Sequence, residues 1–364
     1  MSMNALSPLS SEADVHAQAY AQRLCGQVRD ARASHSPLQI NGGGSKAFYG
    51  RSVAGTPLDI TGYRGIVRYD PVELVVTARA GTPLSELEAE LKAHGQMLAF
   101  EPPSFGGPAT VGGMVACGLS GPRRPWAGAV RDFVLGTRMI GGEGQVLRFG
   151  GEVMKNVAGF DVSRLMVGAQ GVLGVLLDVS LKVLPRPKAC ACLRLEMPLD
   201  HALEQLTLWG REPLPLSAAC HDGTVLHLRL EGGEGSVAAS VNRLGGERDN
   251  DHFWSALNDH DLLFFADPRP LWRLSLPADT PPLSIDGKWL VDWAGMQRWL
   301  KSDAEPHAIR DVAQRAGGHA SCFVVGMDEP FAPLAPVLLQ YQRRLKAQLD
   351  PAGIFNPGRL YAGL

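Results

Sequence analysis

Apolar residues spaced three or four positions apart predict the helices of this chain. The first predicted helix spans residues 12–33, and its apolar face holds Ala17, Ala21, Leu24, Val28 and Ala31. The same spacing predicts a second helix that Thr82 caps. Further helices are predicted at residues 161–166, with Asp161 as the cap, and at residues 331–349.

Runs of apolar or alternating residues predict the strands of the first half. These strands are predicted at residues 38–40, 73–80, 97–100, 133–140, 145–149 and 172–184. A glycine-rich stretch at residues 141–144 separates two of them and predicts a hairpin. The last strand stops at Pro185-Arg186-Pro187, which we interpret as a domain boundary.

Beyond this boundary, strands and helices alternate. Strands are predicted at residues 192–197, 225–230, 271–276, 289–293 and 322–327, and helices at residues 199–210, 236–244 and 306–316. This order predicts an antiparallel sheet with helices on one face, an α+β arrangement. The tail at residues 350–359 is apolar and rich in turn formers, so we expect it to fold back onto the first domain. The predicted parts are therefore residues 1–188, 189–330 and 331–364.

Two glycine clusters are the strongest chemical signal. The first runs from Ile40 to Lys46, and the second, at residues 102–121, contains six glycines and three prolines but no acid or base. Glycine lets main-chain N–H groups approach a ligand, and successive N–H groups form a nest for phosphate oxygens. We therefore expect a dinucleotide pyrophosphate held from two sides, with the N–H groups of Gly112 and Gly113 among its donors. Residues 42–47 also fit G-x-G-x-x-A, but no long helix follows them, which argues against a Rossmann site.

Charge and residue counts narrow the possible functions. The 35 basic and 37 acidic residues nearly cancel, which argues against nucleic acid or an anionic membrane as a partner. We find no apolar run of membrane-spanning length and no secretion signal, so we expect a cytoplasmic protein. The six cysteines form no CxxC pair, so we expect no metal site and no self-supplied iron–sulfur cluster. His221 and His227 flank a predicted hairpin turn, and we expect them to meet across it as a structural pair.

A third cluster, at residues 155–161 and 168–174, completes a family pattern. In order and spacing, the three clusters resemble the flavin-binding half of the vanillyl-alcohol oxidase family, which has the p-cresol methylhydroxylase type of FAD fold. Within this family, the chain is similar to the FAD-binding subunits of bacterial glycolate oxidases. The resemblance is strong over residues 36–187 and 346–361, and its motifs lie at residues 101–103, 112–116, 132–136, 154–161 and 349–359.

The resemblance implies a fold and a cofactor. The fold is α+β, with a p-cresol methylhydroxylase-type FAD-binding domain of two α/β lobes and an α+β cap domain with an antiparallel sheet. Many relatives tether the flavin through a histidine beside the first nest, but Ser45 stands there in this chain, so we expect non-covalent FAD. The residues implied in cofactor binding are Asn41, Gly42, Gly43, Gly44, Ser45, Thr110, Val111, Gly112, Gly113, Gly118, Ser120, Gly121, Val134, Gly136, Asp161, Gly171, Gly174 and Asn356.

The resemblance also implies partners. Related subunits that oxidise 2-hydroxy acids carry a His-Gly-Asp-Gly-Asn-type segment in the cap, and this chain has none. We therefore expect a sister FAD-linked hydroxy-acid oxidase subunit and a separate iron–sulfur subunit, with inner-membrane association only through such partners. No catalytic residue is assigned, and the candidate cations are Arg123, Arg124, Lys155 and Arg359. Two alternatives stay open: a self-sufficient FAD oxidoreductase acting on a small hydroxy acid, and a structural subunit that has lost its flavin.

Overall fold

The computed structural model describes residues 12–151 and 160–364. Residues 1–11 and 152–159, which include the candidate cation Lys155 and most of the motif at 154–161, lie outside the described residues. The described helices of the first part are α1 (Glu12–Ser34), α2 (Leu84–Ala93), α3 (Val111–Cys117), α4 (Arg124–Ala127), α5 (Val130–Phe133) and α6 (Val162–Leu165). Its described strands are β1 (Leu38–Asn41), β2 (Thr56–Asp59), β3 (Ile66–Asp70), β4 (Val75–Arg79), β5 (Gln96–Met97), β6 (Val134–Ile140), β7 (Val146–Gly150), β8 (Val175–Lys182) and β9 (Leu184–Pro185).

The first part is built around a five-stranded antiparallel sheet in the order β3-β4-β8-β6-β7. The predicted hairpin is observed as β6 and β7, and the predicted helix at 12–33 is observed as α1. The apolar face of α1 is buried in one core with α2, α3 and the sheet. Strands β1 and β2 form a separate parallel pair. The strand predicted at 97–100 is wrong beyond Met97, because only two residues pair there, with β9.

The glycine-rich segment contains a helix that its composition did not predict. Helix α3 begins after Thr110, whose Oγ1 accepts a hydrogen bond from the Gly113 N–H at 3.2 Å. It ends at Gly118, which adopts the left-handed conformation with φ 64°. Glycine has a low helix propensity, so the burial of Val111, Met114 and Val115 stabilises this short helix rather than its composition.

The second part is an antiparallel sheet of eight strands in the order β13-β10-β12-β11-β15-β16-β14-β17. The strands are β10 (Ala189–Glu196), β11 (Leu216–His221), β12 (Val225–Gly232), β13 (Glu247–Asp249), β14 (Leu271–Ser275), β15 (Lys288–Asp292), β16 (Gln297–Lys301) and β17 (His319–Cys322). The described helices between them are α7 (Leu199–Trp209), α8 (Glu234–Leu244), α9 (His252–Asp259) and α10 (Pro306–Arg315).

The helices lie on both faces of this sheet. As predicted, α7, α8 and α10 cover one face. The short helix α9, which the sequence did not reveal, covers the other face through Trp254 and Leu257 and separates it from part of the first domain. The strand predicted at 322–327 is wrong, because β17 ends at Cys322.

The predicted contact between His221 and His227 is also wrong. His227 pairs in register with Cys220, so the two histidines point to opposite faces of the sheet. His221 bonds the Met197 carbonyl oxygen, whereas His227 lies 3.1 Å from an Asp222 carboxylate oxygen. Each histidine therefore has its own structural partners.

Helix α11 (Pro336–Leu349) starts five residues later than predicted and leads into a tail that folds back. The Lys346 Nζ, in a residue only 8% exposed, donates to Asp350 Oδ2 at 2.7 Å and to the Val172 and Phe355 carbonyl oxygens. Asp350 in turn accepts from the Phe355 N–H at 2.8 Å. This buried latch joins α11, the turn before β8 and the tail.

We predict that Lys346→Met destabilises the protein by about 3–5 kcal/mol, because it leaves the buried Asp350 carboxylate without its cation. Thermal unfolding would show a lowered melting temperature. Arg343→Met is the matched control, because Arg343 is exposed on the same helix. Equal melting temperatures for the two variants would contradict the importance of the latch.

Candidate cofactor-binding site

A cavity of about 350 Å³ lies in the first part, between the end of β1, helix α3, the turn before β8 and the tail. Its volume falls in the range of small-molecule sites, about 300–1,000 Å³. Eleven of the residues that the sequence implied in cofactor binding line it: Asn41, Gly42, Gly43, Gly44, Ser45, Thr110, Gly112, Gly113, Gly171, Gly174 and Asn356. The structure thus brings residues from all three glycine clusters to one cavity.

The first glycine cluster is a main-chain nest. Within the part of the chain that the structure describes, the N–H groups of residues 42–46 donate no hydrogen bond to protein. The loop is held by other groups: Gly44 accepts from the Ala47 N–H at 3.0 Å, and Gly43 lies directly against the Pro108 carbonyl. Gly44 also has φ 77°, a conformation that favours glycine. Five successive free donors make this loop suited to an anion.

The second glycine cluster plays a different role from the one expected. The N–H groups of Gly112 and Gly113 donate to the Ala80 carbonyl at 2.7 Å and to Thr110 Oγ1 at 3.2 Å, so neither is free for a phosphate. A Cβ on Gly112 would come within 2.7 Å of the Ala80 Cβ, so this glycine is needed for contact between α3 and β4. A Cβ on Gly113 would approach only Thr110 Oγ1, at 3.1 Å. Gly113 therefore leaves space beside a ligand instead of binding one.

The tail completes the cavity through Asn356. Its Oδ1 accepts from the Ile40 N–H and its Nδ2 donates to the Gln170 carbonyl, each at 2.7 Å. A Cβ on Gly171 would lie 2.6 Å from that Nδ2, which is too close for a side chain. Gly171 also has φ 78°, a conformation that favours glycine. Asn356 thus joins two walls of the cavity, and both polar atoms of its side-chain amide are hydrogen-bonded to protein.

A buried lysine and a half-buried arginine lie in the cavity wall. The guanidinium of Arg359 donates to the carbonyl oxygens of Tyr49 and Arg51, each at 2.6 Å, and to Gln170 Oε1 at 3.1 Å. Lys46 is 7% exposed, and its Nζ donates to Ser45 Oγ at 3.2 Å. Burial lowers the pKa of both groups. Neither forms an ion pair with any carboxylate among the described residues, so the cavity wall carries positive charge that an anion would balance.

The positive charge of the cavity wall was not predicted from the sequence. Arg359 was only one of four candidate cations, and Lys46 had no assigned role although it is the last residue of the first glycine cluster. Gln170 was also missed, and its positive φ of 47° is visible only in the structure. A buried lysine cannot be told from a surface lysine by sequence alone.

Seven residues implied by the resemblance do not line this cavity. Val111, Val134 and Gly136 are packed within the first domain, where Gly136 faces Gly151. The others have structural partners: Gly118 ends α3, Ser120 Oγ accepts from the Val130 N–H, the Gly121 carbonyl accepts from Trp293 Nε1, and Asp161 caps α6.

A second, much smaller cavity lies between the first domain and the sheet of the second. Its volume is about 30 Å³, and its polar lining residues include His260, Arg273, Asp292 and Gln297. Burial raises the pKa of Asp292 to about 7 and lowers the pKa of His260 to about 3, with Arg273 and Lys301 adding to the latter shift. A space of this size holds one or two water molecules.

Aromatic rings occupy the surroundings of this small cavity. The rings of Phe105 and His260 lie 4.8 Å apart, and those of Tyr49 and Phe323 lie 5.0 Å apart. The His260 ring is stacked on Phe265 at 4.0 Å. The sheet face that looks toward the first domain is therefore filled by aromatic side chains from both domains.

The candidate cations Arg123 and Arg124 have structural roles. Glu101, at the start of the long glycine segment, binds Arg123 at 3.1 Å and Arg229 at 2.8 Å, and Arg123 also bonds Glu231. Burial opposes ionisation of Glu101, but the two arginines outweigh it and lower its pKa. This network joins the two domains. Arg124 instead lies over the Trp293 ring, 4.4 Å from its centroid.

The described part of the chain shows neither a metal-ligand cluster nor a membrane-spanning helix. Among residues 12–151 and 160–364, no group of three or more His, Cys, Asp or Glu side chains is arranged to hold a metal ion. In the same residues, no helix combines the length and the apolar character needed to cross a membrane.

Comparison with known proteins adds a family. A family model described as FAD binding domain matches residues 20–150. The chain is 56% identical to the glycolate oxidase subunit GlcE of Escherichia coli over 345 residues, which is 95% of this chain and 98% of that protein. It is 30% identical to the glycolate oxidase subunit GlcD of Bacillus subtilis over 123 residues, 34% of this chain and 26% of that protein.

The fold also matches a solved structure. An alkyldihydroxyacetonephosphate synthase aligns with a TM-score of 0.67 over 95% of this chain and 76% of that one, at 16% identity, which supports the fold alone. The α+β architecture expected from the resemblance is thereby confirmed. Because nearly the whole chain aligns with GlcE at more than half identity, this protein belongs to the family of the glycolate oxidase subunit GlcE.

Proposed function

We propose that this chain is the FAD-binding subunit of a glycolate oxidase-like complex and that it holds FAD non-covalently in the 350 Å³ cavity. The observation that carries the proposal is the positive cavity wall, formed by the free N–H groups of residues 42–46, the buried Lys46 and the half-buried Arg359. A pyrophosphate satisfies both features at once.

The chain's own residues divide the work of binding. The nest at residues 42–46 would take phosphate oxygens, and the open space beside Gly113 leaves room for flat or extended parts of the ligand. Ser45 supplies no imidazole for a covalent tether. Cys117 also lines the cavity, but burial raises the pKa of its thiol and keeps it neutral. When bound, FAD supplies reversible acceptance of two electrons.

Hydroxy-acid oxidation is assigned in this proposal to a sister FAD-linked subunit, with an iron–sulfur subunit as the next electron carrier. The small cavity contains the Asp292 carboxyl group, which would act as the base, and the Arg273 cation, which would hold a carboxylate. However, it has room for one or two waters rather than the five heavy atoms of glycolate. Its aromatic surroundings block enlargement without movement of Phe105 or Phe323. The self-sufficient alternative would require that movement.

We predict that Gly113→Val purifies without colour. The added side chain has open space only toward the cavity, so it would exclude ligand and weaken FAD binding at least about 100-fold, or about 2.7 kcal/mol. Titration with FAD, followed by flavin fluorescence, measures the loss. Gly235→Val is the control, since nothing lies within 4 Å of a Cβ there, in α8. Wild-type affinity in Gly113→Val would remove FAD from this cavity.

Non-covalent binding predicts that acid precipitation releases all of the flavin. The yellow colour should appear in the supernatant, identified as FAD by chromatography. Flavin that remains with the precipitated protein would show a covalent link, for which Cys117, a cavity-lining thiol, would be the candidate attachment site.

Dependence on partners predicts that glycolate does not reduce the isolated, FAD-loaded chain. Under anaerobic conditions its visible flavin spectrum should stay oxidised with glycolate but be bleached by dithionite. Co-expression with the sister flavoprotein and the iron–sulfur subunit should give glycolate-driven dye reduction. Bleaching of the isolated chain by glycolate would favour the self-sufficient alternative, whereas absence of flavin from the purified chain would favour the structural subunit.

A further inference from the structure

Helix α11 presents an apolar face to solvent. Val337, Leu338 and Tyr341 are each between 51% and 57% exposed. Their spacing of three and four residues places them on one side of the helix. Arg344 belongs to the same face, because its guanidinium lies 6.0 Å from the centroid of the Tyr341 ring. We call these four residues the α11 patch.

The α11 patch is positively charged as well as apolar. The helix contains Arg343, Arg344 and Lys346 but no acid. Lys346 is buried in the latch with Asp350, whereas Arg343 and Arg344 are exposed and form no ion pair with any described residue. The chain as a whole has a net charge of −2, so this local excess of positive charge is not a property of the general surface.

We propose that the α11 patch is the docking surface for another protein subunit, one that presents an apolar groove bordered by carboxylates. Tyrosine and arginine are enriched in the cores of protein interfaces, and an amphipathic helix in a groove is a common mode of recognition. Charge complementarity sets the chemistry of the partner, because the exposed guanidinium of Arg344, beside the Tyr341 ring, favours a carboxylate opposite it.

Two other occupants fit less well. A second copy of this chain would bring the arginines of two α11 helices face to face, and like charges across an interface oppose association. A lipid surface would gain only three half-exposed apolar side chains, less than the broad apolar face typical of interfacial helices. The groove of a partner protein uses the same residues without either difficulty.

The position of the helix links the patch to the cofactor cavity, and this link rests on the proposed function. The Phe331 ring, just before α11, lies 5.2 Å from Tyr49 and 6.1 Å from Tyr361. Tyr361 also donates to the Ala332 carbonyl at 3.2 Å. Tyr49 belongs to the loop that Arg359 holds at the cavity. A subunit docked on α11 would therefore stand close to the cavity wall.

The test uses the complex co-expressed with the sister flavoprotein and the iron–sulfur subunit, with an affinity tag on this chain. The double variant Leu338→Glu/Tyr341→Glu should keep its FAD and its melting temperature but capture at least about tenfold less partner. Leu208→Glu is the matched control, because Leu208 is also 50% exposed on a helix, α7, in the second domain. Arg344→Glu should weaken capture as well, and high salt should weaken capture by the wild type.

Each other outcome has a distinct meaning. If the wild-type chain captures neither subunit, the proposed function fails and the docking surface fails with it. If the wild type and the double variant capture partners equally, the α11 patch is not the docking surface, although the proposed function stands. Flotation with phosphatidylglycerol vesicles that is lost in the variant, without loss of partner capture, would identify a lipid surface. Concentration-dependent dimers abolished by the variant would identify a second copy of the chain.

Discussion

The buried pair of Lys346 and Asp350 is the interaction on which the cofactor cavity depends. An ammonium and a carboxylate in a dry interior are costly unless each is fully bonded, and here they are: Lys346 has three oxygen partners, and Asp350 also accepts from the N–H groups of Ile354 and Phe355. The pair therefore specifies one path for the tail. That path brings Asn356 and Arg359 to the cavity.

The cavity is assembled from segments that are far apart in the chain. Asn356 connects β1 to the turn at Gln170, and Arg359 holds the loop that follows the first glycine cluster. The side chains of both residues hydrogen-bond to main-chain or amide groups of the protein. They therefore shape the walls of the cavity rather than bind a ligand through side-chain donors. Arg359 adds its charge to that of Lys46, and the free N–H groups of residues 42–46 add directed donors. Shape and charge thus come from different atoms.

Periodicity predicted the parts of the fold that are locally determined. Helix α1, the β6–β7 hairpin and the helices on the outer face of the second sheet follow patterns within single segments. Helix α3 was not predicted because three of the eight residues from 111 to 118 are glycine. Contacts with β4 and the residue after it stabilise this helix. Helix α9 was not predicted because it is only eight residues long and its apolar contacts are with strands distant in sequence and with the first domain.

For the site as well, features determined by local composition were predicted, whereas features set by long-range contacts were not. The glycine clusters were correctly expected to converge, since their composition reports close backbone approach. The expected roles of Gly112 and Gly113 as donors were wrong, because the partners of their N–H groups are the carbonyl of Ala80, just after β4, and the side chain of Thr110. The filled face of the second sheet could not be predicted, because it depends on contacts between residues such as Phe105 and His260, which are 155 positions apart.

The order in which the ribosome makes these segments has a consequence for cofactor loading. The nest at residues 42–46 emerges early, but the wall that closes the cavity beside it contains Asn356 and Arg359, which emerge more than 300 residues later. During most of translation the nest is therefore an open anion site without its companion wall. Tight retention of the dinucleotide must wait until the tail has been released and latched, so translation products that stop before residue 356 lack this wall of the cavity.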